Sequence, residues 1–111
     1  MVLKSCNITK GSATSYSSNG YTIYYQKIAN NIYQIYMTKI LSSVETTIDW
    51  ILGSSFPVKP TVAQILPLFM HVSGNVVGIG YIAFFSDGTV HLSCPAYGSQ
   101  VQLDVQGLIT L

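Results

Sequence analysis

From Val44 to Leu52 the chain alternates with a period of two, with Val44, Thr46, Ile48, Trp50 and Leu52 on one side and Glu45, Thr47, Asp49 and Ile51 on the other. A helix repeats every 3.6 residues and does not sort these side chains onto two faces; an extended strand does. The pattern predicts a half-buried strand. Its apolar set, including the only tryptophan, faces a core, its two carboxylates face water, and Gly53-Ser54-Ser55 ends it.

The rest of the chain is punctuated in the same manner. Residues 21 to 28 and 32 to 41 are rich in Tyr, Ile, Thr and Met, which suit a pleated sheet, and Ala29-Asn30-Asn31 between them reads as a hairpin turn. Phe56-Pro57-Val58-Lys59-Pro60 reads as a connecting loop, because each proline lacks a donor and restricts the residue before it. Residues 62 to 72 read as a strand interrupted at Pro67. Then come a turn at Ser73-Gly74-Asn75, a buried strand over 76 to 85, a turn at Ser86-Asp87-Gly88, strands over 89 to 94 and 101 to 105, and a last one over 108 to 111. Six to eight short strands with frequent turns predict an all-β fold, an antiparallel β-sandwich or partly closed barrel. A chain of 111 residues has room for one such domain, spanning 1–111. Residues 1–20, ending in a Ser- and Gly-rich stretch, are expected to be a flexible arm or loop.

Charge excludes some partners. Charged residues make up 8% of the chain against about a quarter in ordinary domains, and the five lysines are scattered, so no nucleic-acid footprint is present. No apolar run approaches the roughly 18 residues of a spanning helix. The start of the chain does not read as a signal peptide, which points to a product left in a cytoplasm. Cys6 and Cys94 belong to no metal-binding motif. Free thiols are the expectation, with Cys94 buried; a disulfide between them is the alternative.

Catalytic equipment is sparse. Glu45 and Asp49 lie about 13 Å apart along one strand, too far for a carboxylate pair acting on one bond. His71 and His91 have no carboxylate or cysteine at a metal-ligand spacing, and alternation turns His91 to the exposed side of its hairpin. A shared site of His91 with Cys94 and Asp87 is a further arrangement to test. Gly78-Ile79-Gly80 lacks the third glycine of a dinucleotide fingerprint and reads instead as a place of close backbone approach or a bulge. No enzyme, metal or cofactor is expected. Eight tyrosines stand out, since each has an apolar face and a polar tip suited to interfaces and sugar rings. Candidate ligand or partner contacts are Tyr24, Tyr33, Tyr97 and His91.

The run Ile48-Asp49-Trp50-Ile51-Leu52-Gly53, then Phe56-Pro57-Val58-Lys59-Pro60, Gly78-Ile79-Gly80-Tyr81-Ile82-Ala83, Ser86-Asp87-Gly88-Thr89-Val90-His91-Leu92 and Val105-Gln106-Gly107-Leu108 resembles β-domains of tail fibre and receptor-binding proteins of tailed phages of Gram-positive bacteria, lactococcal siphophages among them. The resemblance covers roughly residues 44 to 111. It implies a non-enzymatic, tail-associated protein, of a Bacillus-type siphophage, that binds another phage tail protein or a host cell-wall saccharide. The implied location is the virion, or the host cytoplasm before assembly. Family members are trimers held by a stem; this sequence has no heptads or collagen-like repeat, so monomer and homotrimer both stand as expectations. A free carbohydrate-binding module without a virion role is the alternative, and a small hydrolase with His71 or His91 beside a carboxylate in a cleft is a third reading.

Overall fold

In the computed structural model, which describes residues 13–111, the chain forms β1 (Thr14–Ser18), β2 (Tyr21–Ala29), β3 (Ile32–Leu41), β4 (Ile48–Gly53), β5 (Gln64–Val72), β6 (Asn75–Phe84), β7 (Val90–Cys94) and β8 (Val101–Thr110). All pair antiparallel in one sheet of order β1-β2-β3-β8-β5-β6-β7-β4. The sheet curls into a nearly closed, flattened barrel with extents of 41 × 30 × 22 Å. The all-β expectation holds.

The turns follow from residue chemistry. Asn19-Gly20 and Ser73-Gly74 each place both residues at positive φ, the requirement of a type I′ hairpin. Asn31 also adopts positive φ, as the Asn30-Asn31 turn requires. At Ser86-Asp87-Gly88 the Asp87 carboxylate accepts the Thr89 N–H at 2.9 Å, and this bond holds its carboxyl below the ordinary range.

Inside, one side of strands β2 to β8 builds a continuous core: Ile23, Ile35, Met37, Leu52, Leu68, Met70, Ile82, Phe84, Val90, Leu92, Leu103, Val105 and Ile109 are fully buried. Phe56, from the proline-bracketed loop, is also fully buried and meets the rings of Tyr16, Tyr25 and Phe84 at 5.2–5.4 Å. Gly80 faces this interior where β7 crosses β6. A methyl there would lie 2.0 Å from the Ser93 carbonyl oxygen, so the expected close backbone approach is real.

Several elements differ from expectation. Thr14–Ser18, expected within an arm or loop, is a strand along β2, since Ser, Thr and Tyr supply a ladder as well as larger residues do once a type I′ turn aligns them. The remainder of that proposed arm, with Cys6, lies outside the described residues. The alternating strand begins only at Ile48; Val44 forms an isolated bridge with Tyr97. Trp50 stays 38% exposed, because its edge-strand position turns it to the barrel seam against Tyr21. Pro67 does not interrupt β5. The ladder from β5 to β8 covers only Leu68–His71, so Pro67 sits just beyond it and its missing donor leaves no gap. Where the two strands part, the Gln64 amide bridges them, donating through Nε2 to the Thr110 carbonyl and accepting the Thr110 N–H at 3.0 Å. The two expected final strands are one, β8, because Gly107 continues the ladder to β3.

The barrel seam between β1 and β4 is stitched by side chains. Ser18 Oγ and Asn19 Nδ2 both donate to the Leu52 carbonyl at 2.8 Å. The Tyr16 hydroxyl lies 3.4 Å from Ser55 Oγ, and this contact holds the phenol below its ordinary range.

Candidate functional site

Strand register lays out the outer surface row by row. One row reads Thr38, Asp104, Phe69, Ile79 across β3, β8, β5 and β6, and the next reads Ile40, Gln102, His71, Val76. Asp104 is the hub between them. Its carboxylate accepts from Thr38 Oγ1 at 2.8 Å and from Gln102 Nε2 at 3.1 Å, and His71 Nε2 lies 3.2 Å away. Gln102 Nε2 also lies 3.3 Å from Thr38 Oγ1. Beside this network opens a cleft of about 290 Å³, with His71, Ser73, Gln100 and Gln102 on its wall and Ile40 and Val72 as apolar surface. Phe69, partly exposed, sets its ring 6.4 Å from that of His71.

The network commits donors and leaves acceptors. Gln102 uses Nε2 on Asp104 and Thr38, so Oε1 remains available. His71 Nε2 stands 3.2 Å from the Asp104 carboxylate as a close contact rather than an aligned hydrogen bond. Polar groups held by one another keep a fixed geometry and do not have to be ordered by an incoming ligand.

A second His–Asp pair stands on the far side of the same outer surface. His91 Nε2 lies 2.6 Å from Asp49 Oδ1, and the His91 ring stacks with Tyr81 at 6.2 Å and 16°. His91 therefore faces outward as expected, but its partner is Asp49. Cys94 points into the core, where burial pushes its thiol up, and Asp87 is engaged in its own turn. The suggested His91, Cys94 and Asp87 site does not assemble.

The other sequence candidates are dispersed. Tyr24 lies on the outer face of β2 with its ring 6.3 Å from that of Tyr36. Tyr33 and Tyr97 pack against the core from β3 and from the Val44 bridge. These tyrosines and His91 form no common site. Thr38, Gln102 and Asp104 were not among the sequence candidates. The Val101 to Val105 alternation does place Gln102 and Asp104 on one face, but it does not reveal that β5, carrying His71, lies beside β8.

Three further facts bound the chemistry. Among the described residues no three His, Cys, Asp or Glu side chains stand close enough to hold a metal ion. No helix among them is long and apolar enough to cross a membrane. Ser73 shares the cleft with His71, yet no hydrogen bond joins its hydroxyl to His71 among the described residues. No protein-family model and no curated protein matches the chain.

Proposed function

We propose that this chain is a non-enzymatic binding protein that receives a polyhydroxylated ligand in the cleft beside β5 and β8. The supporting observation is the hydrogen-bonded set Thr38–Asp104–Gln102, which holds Gln102, with His71 beside it, on the wall of a partly apolar cleft. Sugar hydroxyls donate to an acceptor such as the Gln102 amide oxygen, and Ile40 and Val72 offer apolar surface in the cleft to the C–H faces of a ring. The resemblance of residues 44 to 111 to phage receptor-binding domains supplies the biological setting: a tail-associated protein, made in the host cytoplasm and built into the virion, whose ligand is a host-surface glycopolymer.

A second reading has one observation in its favour. Ser73 and His71 line the same cleft and Asp104 lies 3.2 Å from His71, the residue types of a hydrolytic triad. A working triad needs the serine hydroxyl within hydrogen-bond reach of the imidazole and donors for an oxyanion.

Co-sedimentation tests both. The purified protein, mixed with a Gram-positive cell-wall fraction, is expected in the pellet, and Gln102→Ala is expected to leave about tenfold more protein in the supernatant. Wild-type protein that stays in the supernatant overturns glycopolymer binding and favours docking on another tail protein. Soluble saccharide released by wild type but not by Ser73→Ala favours the hydrolase.

A further inference from the structure

β1 and β4 are the two edges of the sheet, and the seam between them opens into a hollow of about 320 Å³ walled by Asn19, Tyr21, Trp50 and Ile51. Side chains fix its shape. Asn19 Nδ2 donates to the Leu52 carbonyl at 2.8 Å, and the Tyr21 ring meets the Trp50 indole at 5.7 Å and 69°. Lys39 Nζ donates to the Gly20 carbonyl at 2.8 Å and stands over the Tyr21 ring at 5.2 Å, backing that ring with a cation. Rings and turn are therefore set before any ligand arrives.

Three polar tips of this hollow have no protein partner among the described residues. Asn19 commits Nδ2 to Leu52, and its Oδ1 carries no hydrogen bond. The Trp50 indole N–H carries none. Tyr21 is only 5% exposed, yet no buried side-chain oxygen or nitrogen among the described residues lacks a partner, so its unbonded hydroxyl reaches the surface in the hollow it lines. One acceptor, one donor and one group that is both thus stand beside a half-exposed indole. An apolar occupant would leave all three unpaired. A hydroxylated ring answers them, because its hydroxyls donate and accept while its C–H face packs on the indole.

We infer that this hollow is a second sugar subsite, taking one ring of the glycopolymer whose neighbouring unit enters the cleft beside β5 and β8. The inference rests on the glycopolymer reading above. Consecutive residues of β3 tie the two places together: Ile40 lines the cleft, and Lys39 holds the turn and the ring of the seam hollow. A polymer of repeated sugars that engages one place meets the other intramolecularly, which raises overall affinity.

Trp50 is the only tryptophan, so its fluorescence reports on this hollow. The probe is a Gram-positive cell-wall glycopolymer, sonicated to soluble fragments and treated with protease. Saturating probe is expected to cut acrylamide quenching of Trp50 about twofold in wild type, and Tyr21→Phe to need about threefold to tenfold more probe for the same protection, the worth of one hydrogen bond. Tyr21→Phe keeps the ring and removes a hydroxyl without a protein partner, so its thermal melt should match wild type. Ile51→Asp, on the exposed wall of the hollow, gives the same test should Tyr21→Phe fail to fold. Trp50 left open to acrylamide while the protein still pellets with the wall overturns this subsite and leaves the cleft standing. Protection indifferent to both substitutions, or seen only before protease treatment so that the occupant is a peptide, overturns it as well. A protein that neither pellets nor protects Trp50 overturns the glycopolymer reading and the subsite together.

Discussion

His91 on β7 holds Asp49 on β4 at 2.6 Å, a side-chain tie between β4 and its one ladder neighbour among the described residues. The two residues lie 42 positions apart in sequence, and antiparallel pairing of Ile51 with His91 and Asp49 with Ser93 brings them onto one diagonal of the outer face. Asp49 is 65% exposed and His91 28%, so water weakens the attraction. Asp49→Asn is expected to lower unfolding stability by no more than about 1 kcal/mol. Urea denaturation checks this. A larger loss means that β4 depends on this tie more than on Leu52 and its ladder.

Gln64 carries more weight. Its amide makes both hydrogen bonds to the Thr110 backbone where β5 and β8 diverge. Gln64→Ala exchanges both bonds for water, since the pair is exposed, and is expected to cost about 0.5–1.5 kcal/mol. Hydrogen exchange at the Thr110 amide should accelerate in the variant, while the Leu103 amide, in the central part of β8, stays protected.

Gly80 and Gly98 form a matched pair for substitution. A methyl on Gly80 meets the Ser93 carbonyl oxygen and the Cys94 backbone, whereas one on Gly98 meets nothing within 4 Å. Gly80→Ala is expected to destabilise at the upper end of about 1–3 kcal/mol, because backbone has to move. Gly98→Ala should stay within about 0.5 kcal/mol of wild type. Thermal melts of the two variants side by side decide it.

The pH dependence has a definite sign at each end. Burial raises the Cys94 thiol above its ordinary 9.0, and burial likewise raises Tyr21 above 10.0. A raised folded value contributes stability that is fully present below the unfolded value and lost as pH climbs through the folded one. The Cys94 and Tyr21 contributions should therefore fall above pH 9, with the lowered Tyr16 phenol acting in the opposite sense, and Cys94→Ala should remove the first part of that fall. Asp87 is shifted the opposite way by the Thr89 N–H, so its contribution is present above its ordinary 3.8 and lost on further acidification. Asp87→Asn should remove that acid-side component.

Local chemistry carried much of the fold. Period-two alternation, Asn and Gly at turns and prolines outside the ladders name strands and loops, because these preferences act between neighbours along the chain. The Asn19-Gly20 hairpin was equally visible in type, but its Ser-rich surroundings suggest an arm until the ladder of Thr14–Ser18 on β2 is seen. Pro67 misleads for a related reason. Whether a missing donor interrupts a strand depends on where the neighbouring ladder stops, which is a property of β8 and not of β5.

By itself the sequence determined that this chain folds as all-β, that its core is built from alternating residues, and that charge is nearly absent from residues 60 to 86. Only the tertiary structure decided which strands are neighbours. The order β3-β8-β5 brings Thr38, Asp104 and His71 together, and the order β6-β7-β4 brings Tyr81, His91 and Asp49 together. Alternation fixes a side chain's face, but long-range ladder pairing fixes its companions. That pairing is settled by how the buried side chains, twenty among the described residues, fill one barrel, and no local stretch of chain encodes it.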